Sequence, residues 1–186
     1  MISSESAQDA VRELLLHIGE NPNREGLRET PERVVRALVE MTSGYSLDPK
    51  DVLKLFPSEG YDEIVALKDI PFASICEHHL LPFVGIAHIG YIPAPHGVIV
   101  GLSKLPRLLD IYTKRLQIQE RITTQVTSAL NMYLQPLASG CILEATHCCL
   151  SCRGVRREGV MVTSSMTGAF RDNSDARAEF LRLIGK

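Results

Sequence analysis

Phe83-Val84-Gly85-Ile86-Ala87-His88-Ile89-Gly90-Tyr91-Ile92 alternates, with Phe83, Gly85, Ala87, Ile89 and Tyr91 set against Val84, Ile86 and His88. A period of two is the signature of a strand whose two sides meet different surroundings. A looser alternation runs from Ile64 to Ile70, and Gly140–Leu150 and Val160–Ser165 read as further strands. His88 sits mid-strand and reads as a satisfied sheet histidine rather than a ligand. Pro93-Ala94-Pro95-His96-Gly97 is a turn that leaves His96 exposed.

Helical periodicity fills the space between these strands. Ser103 suits a helix N-cap, and Pro106 is tolerated in the first turn. Two helices are predicted, at roughly 103–115 and 118–134. Leu105, Leu108, Leu109 and Tyr112 face inward on the first, and Ile118, Ile122, Val126, Ala129 and Tyr133 on the second. Asn173 or Ser174 caps a last helix carrying Phe180, Leu181 and Ile184.

Upstream, residues 6–18 form an amphipathic helix with Val11, Leu14, Leu15 and Ile18 on one stripe. A second follows, with Thr30 as N-cap, Pro31 in the first turn and Glu32 at the positive end of the dipole. A short helix follows Pro49. The expected layout is an N-terminal helical arm over 1–62, then an α+β domain over 63–186 with strands and helices segregated.

The composition is that of an ordinary globular protein: 186 residues, 45% hydrophobic and 23% charged. A net charge of -2 suggests neither nucleic acid nor an anionic membrane as partner. No apolar run approaches the ~20 residues of a bilayer span. Met1-Ile2-Ser3-Ser4-Glu5-Ser6 lacks a basic region followed by an apolar one, so no secretory signal is expected. Five cysteines in that setting read as reduced thiols or metal ligands in a cytoplasmic protein.

The chemistry concentrates at Ile75-Cys76-Glu77-His78-His79-Leu80 and at Thr146-His147-Cys148-Cys149. Cys76 and His79 form C-x2-H, a spacing that lets one turn aim both side chains at one cation. On a strand, His147 and Cys149 share a face while Cys148 points away. Cys76, His79 and Cys149 then make an S,N,S set soft enough to prefer zinc. Three protein ligands leave a position for water, whose pKa zinc brings to roughly 7. A rival uses the same residues: Cys149 and Cys152 form C-x2-C, which with C-x2-H gives a closed, structural Cys3His site. The spare imidazoles of His78 and His147 favour the open site, because a structural knot has no use for acid/base groups. Cys141 and Cys148 read as small core residues.

Basic residues supply a candidate anion site. Ser103, Lys104 and Arg107 open a helix, and Arg153, Arg156 and Arg157 follow Cys149. With Arg33 they can hold a polyphosphate; taken singly, each reads as a solvated charge. Gln119-Glu120 sets an amide beside a carboxylate, and one carboxylate can accept from both N1–H and the 2-amino group of guanine.

Together these segments resemble the GTP cyclohydrolase I family. The match is carried by Glu29-Thr30-Pro31-Glu32-Arg33, Cys76-Glu77-His78-His79, Gly101-Leu102-Ser103-Lys104, Leu116-Gln117-Ile118-Gln119-Glu120-Arg121 and Glu144-Ala145-Thr146-His147-Cys148-Cys149. Thr167-Gly168-Ala169-Phe170 and Arg177-Ala178-Glu179-Phe180-Leu181 close it.

The resemblance implies a tunnelling fold (T-fold) with an antiparallel sheet and helices on one side, assembled as a homodecamer with interfacial active sites. It implies Zn2+ on Cys76, His79 and Cys149. It implies hydrolytic opening of GTP at C8, loss of formate and ring closure to 7,8-dihydroneopterin triphosphate. His78 matches a proton donor to the purine nitrogen and His147 a second acid/base or positioning imidazole. Gln119 and Glu120 match a guanine clamp, and Ser103, Lys104, Arg107, Arg153 and Arg33 the triphosphate and ribose side. Two positions depart from the pattern. Ile86 stands where family members often carry Lys, and Cys152 where no cysteine is required. Two other functions compete: a catalytically silent zinc-stabilised binding protein, and a related enzyme acting on another pterin or purine.

Overall fold

A computed structural model describes residues 3–186. Met1 and Ile2, the start of the stretch read above for a signal, lie outside the described residues. The chain divides into two compact units, one ending at Ser43 and one spanning Gly44–Lys186. The division falls earlier than the expected boundary at residue 62, because backbone pairing ties the intervening segment to the second unit. Strand β1 (Leu55–Pro57) pairs with β4 (Val98–Val100), and the Arg115 guanidinium donates to the Gly44 carbonyl at 2.9 and 3.1 Å.

In the first unit, α1 (Ser4–His17) packs on α2 (Thr30–Met41). Ser3 caps α1 by accepting from the Ser6 N–H. At α2 the expected cap shifts by one: Glu29 is the N-cap, without a side-chain bond, and Thr30 is already helical. Pro31 lies in the first turn as expected, where its missing N–H has no intrahelical partner to lose. The predicted stripe on α1 is not a buried one within this unit, where Leu14 and Ile18 are exposed.

The second unit is built on a five-stranded sheet of order β5-β2-β3-β6-β7. Its strands are β2 (Val65–Cys76), β3 (Pro82–Ile92), β5 (Leu116–Gln117), β6 (Ala138–His147) and β7 (Met161–Gly168). All pairings are antiparallel except β5 on β2. The Phe83–Ile92 alternation that predicted a strand is central β3, and its odd-numbered side faces the main core. Phe83, Ala87, Ile89 and Tyr91 are fully buried there against α4 (Lys104–Thr113) and α5 (Gln119–Leu134). Leu105, Leu108, Leu109, Ile122 and Val126 supply the helical side, as their periodicity predicts. Ser103 does precede α4, but its backbone is helical and its hydroxyl caps nothing.

The opposite face of the sheet carries a second, smaller core. Here α7 (Ala169–Asp172) and α8 (Ser174–Ile184) add a layer beyond the helices expected on one side. Asn173 caps α8 by accepting from the Asp175 and Ala176 N–H groups. Gly90 and Gly140 face each other in register on β3 and β6. A Cβ at Gly90 would stand 2.5 Å from the Phe180 ring. Their bare backbones seat Phe180, which stacks on Phe170 at 4.7 Å between centroids. Burying each ring contributes roughly 1.5–3 kcal/mol. An antiparallel sheet with two helices inserted between its second and third long strands and layered on one face is the T-fold subunit.

Local departures from regular strand matter for function. β2 slips register between Leu67 and Ile70, with Asp69 at φ 58°, and the spare Asp69 N–H donates to His88 Nδ1 at 3.3 Å. His88 is therefore paired within the sheet. β6 ends at His147 rather than at Leu150, because Cys148–Ser151 turns into the helical segment α6. Five free cysteines are present, Cys141 and Cys76 buried and Cys152 exposed. Burial pushes the Cys141 thiol far above its usual range, as suits a core residue. No helix among the described residues is long and apolar enough to cross a membrane.

Candidate metal centre

Strand β2 runs six residues further than its sequence alternation shows and delivers Cys76 at its last position. There the chain turns back to β3. The Cys76 carbonyl accepts from the N–H groups of His79 (3.3 Å) and Leu80 (2.9 Å), and Leu80 takes a left-handed φ of 54°. This turn sets His79 Nδ1 3.8 Å from Cys76 Sγ. The β3–β6 register, pairing Phe83 with His147, brings the end of β6 to the same edge. The switch to helix at Cys148 then swings Cys149 inward. Donor atoms of Cys76, His79 and Cys149 lie within 4.8 Å of one another.

The strand-face reasoning that selected Cys149 is corrected in its cause. His147 and Cys149 do not share a strand face, since Cys149 lies on the first turn of α6. Cys152 stays outside the group: its thiol points back to the Cys148 carbonyl at 2.7 Å. The donor set is thus S,N,S, which fits zinc by softness and number. Burial raises the Cys149 thiol pKa, and the neighbouring Cys76 adds to the rise. A cation that takes the place of the Cys149 proton would relieve that penalty.

The two spare imidazoles occupy different settings. His78 is exposed on the turn, with Nδ1 3.9 Å from Cys76 Sγ and Nε2 3.8 Å from Glu77 Oε1. His147 is half-buried, its ring stacked on Phe83 at 4.5 Å and 5°. Its Nε2 meets Gln119 Oε1 at 2.9 Å. Burial lowers the His147 pKa, and the Glu120 carboxylate opposes that shift.

Sequence reasoning missed Glu77 and Arg121. The Glu77 carboxylate takes both Arg121 Nη atoms, at 2.5 and 3.0 Å, and its backbone N–H donates to the Gln117 carbonyl at 3.0 Å. The ion pair clamps the ligand turn to β5 and α5. The Arg121 guanidinium holds the Glu77 carboxyl below the usual carboxylate range. A carboxylate between two ligands, and an arginine one turn into the next helix, were the available signals. Neither specifies a partner 44 residues away.

The predicted substrate residues are only partly gathered. Arg153 reaches the centre and donates from Nη1 to His79 Nε2 at 2.8 Å. Glu120 is exposed at the start of α5, and its carboxylate has no hydrogen bond or ion pair among the described residues. Gln119, by contrast, is 1% exposed and its amide N–H groups are both committed to backbone carbonyls. Ser103, Lys104 and Arg107 open α4, with Lys104 and Arg107 one turn apart, and none bonds to the ligand set. Arg33 belongs to the first unit, on α2, ion-paired with Glu29. A cavity of about 430 Å³ beside His147 is lined also by Thr146, Ser151, Arg157 and Glu158. A larger one, about 850 Å³, lies over Glu144, Arg171 and Lys186 and includes none of the ligands.

Fold and site together define a T-fold protein with a Cys-His-Cys group that could hold a metal, near two further imidazoles. The profile of the family GTP cyclohydrolase I matches residues 7–185. A GTP cyclohydrolase 1 of Corynebacterium glutamicum (strain ATCC 13032) is 50% identical over 181 residues, covering 97% of this chain and 92% of its own. One from Mycobacterium avium (strain 104) is 51% identical over 179 residues, covering 96% and 88%. The chain belongs to the GTP cyclohydrolase I family and is an enzyme of that family. A solved structure of the archaeosine synthase QueF-Like in the apo form is more distantly similar, with 16% identity, TM-score 0.43 and coverage of 55% and 93%.

Proposed function

We propose that this enzyme is zinc-dependent and converts GTP to 7,8-dihydroneopterin triphosphate with release of formate, the first step of tetrahydrofolate and pterin biosynthesis. One observation carries the reading: a Cys-His-Cys donor set within 4.8 Å has two imidazoles beside it that the metal does not need. Cys76, His79 and Cys149 hold the ion. Zinc bound there supplies Lewis acidity and activates water as a nucleophile near neutral pH.

The chain's own residues do the rest. The free Glu120 carboxylate accepts from the guanine N1–H and 2-amino groups, which sets the purine's orientation. His78, exposed on the ligand turn, delivers a proton to the purine nitrogen as the C8–N bond breaks. His147 serves as the second acid/base group. Ser103, Lys104, Arg107, Arg153 and Arg33 hold the triphosphate and ribose, Arg153 already standing beside His79.

The dispersal of these residues over the chain suits an active site completed between subunits. Val162 is exposed on the outer strand β7, and Val160 just before it, which suits lateral pairing of sheets into a ring. The proposed assembly is a homodecamer, and sedimentation well above the 20.6 kDa monomer is the expected result. Five free thiols suit a reducing compartment, here the cytoplasm.

The test is incubation of metal-analysed protein with GTP, following the oxidised pterin by fluorescence, before and after chelation and zinc add-back. Product that vanishes with the metal and returns with it supports the reading. No product from fully zinc-loaded protein overturns it. GMP in place of GTP tests the triphosphate contacts, and the expected result is a large loss of turnover.

A further inference from the structure

Gln119 is the most fully committed polar side chain near the centre. It is the first residue of α5 and 1% exposed. Its Nε2 donates to the Leu143 carbonyl on β6 and to the Met161 carbonyl on β7, each at 3.0 Å. Both groups at that end of the amide are acceptors, so it must be the NH2 end. The other end is then the carbonyl oxygen, and it faces His147 Nε2 at 2.9 Å. A carbonyl oxygen only accepts, so His147 Nε2 must carry hydrogen. Turning the amide over would set its oxygen against two carbonyl oxygens. Turning the imidazole over would set a C–H against Gln119 Oε1. Stacking on Phe83 holds the ring plane.

We propose that Gln119 is a positioning residue that locks His147 as the Nε2–H tautomer, leaving Nδ1 as the ring's acceptor nitrogen. This rests on the reading of His147 as an acid/base group of the GTP reaction. The Nε2–H bond to Gln119 Oε1 and the stack on Phe83 together fix both the tautomer and the orientation of the ring. The side chain of Gln119 then has no N–H left for guanine, and base recognition falls to Glu120.

Neutron diffraction from zinc-loaded wild-type crystals tests the lock directly. Deuterium on His147 Nε2 and an amide oriented with ND2 toward Leu143 and Met161 are expected. Deuterium on Nδ1 alone, or the reverse amide, overturns the proposal. Kinetics of Gln119→Met supply the second arm. The expected result is a kcat lowered roughly 10–100-fold. KM for GTP should hold within about twofold, with zinc content and preference for GTP over inosine triphosphate unchanged. A raised KM with a collapsed preference between those nucleotides would show that Gln119 reads the base. If wild-type enzyme releases no formate from GTP, the proposed function falls, while the diffraction result still decides the tautomer.

Discussion

At the scale of residues, the division of labour at Cys76-Glu77-His78-His79 is the feature most open to test. Both imidazoles come close to Cys76 Sγ, His79 at 3.8 Å and His78 at 3.9 Å, but only His79 is grouped with Cys149 as well. His78→Ala is expected to abolish formate release while one zinc per subunit remains bound, measured by metal analysis alongside product assay. Loss of zinc in that variant would make His78 a ligand. Cys152→Ser is expected to leave zinc stoichiometry and turnover unchanged, because its thiol is turned to the Cys148 carbonyl. A variant that loses its metal would restore the closed Cys3His site. C-x2-C spacing made Cys152 a candidate ligand; only the direction of its side chain removes it.

At the scale of elements, the ligand turn is held from outside. Glu77 and Arg121 join it to α5, and the Glu77 N–H joins it to β5. Exposed ion pairs contribute little to global stability, so the effect is expected on the metal instead. Arg121→Met should weaken zinc binding roughly 10–100-fold, read by competition with a chelator, with the melting temperature little changed. How legible each element was depended on what sets it. Helices α4 and α5 follow their apolar periodicity almost residue for residue, since burial against one sheet face selects that pattern. The turn of β6 into α6 left no such trace. Alternation merely stops at His147, and three successive residues, Cys148-Cys149-Leu150, suit either strand or helix.

At the scale of the whole molecule, His88 links core stability to pH. It is 1% exposed, between the Asp69 bulge and Glu144, whose Oε1 stands 3.5 Å from Nε2. Burial lowers its pKa below the ordinary 6.5; Asp69 and Glu144 oppose the shift and Lys186 adds to it. Below 6.5 the unfolded chain therefore binds more protons than the native one, and stability falls as pH drops through that window. A melting temperature that declines between about pH 7 and 5, and declines less in His88→Gln, is expected from calorimetry. An equal slope in both proteins would assign the effect elsewhere.

By itself the sequence determined the order and type of the main elements, the residues of the principal core, and the pool of candidate metal donors, Cys152 included. Those properties are local, or are written in periodicities that burial on one face imposes. Tertiary structure decided what depends on pairing across long stretches of chain. It seated Phe180 on the second face of the sheet, over the facing glycines Gly90 and Gly140. It clamped Glu77 to Arg121, and it set the Gln119 carbonyl on His147. A carboxamide at a helix start offers the same atoms to guanine as to a neighbouring imidazole. Which one it meets is settled by the strand register that presents the carbonyls of Leu143 and Met161 to its amide.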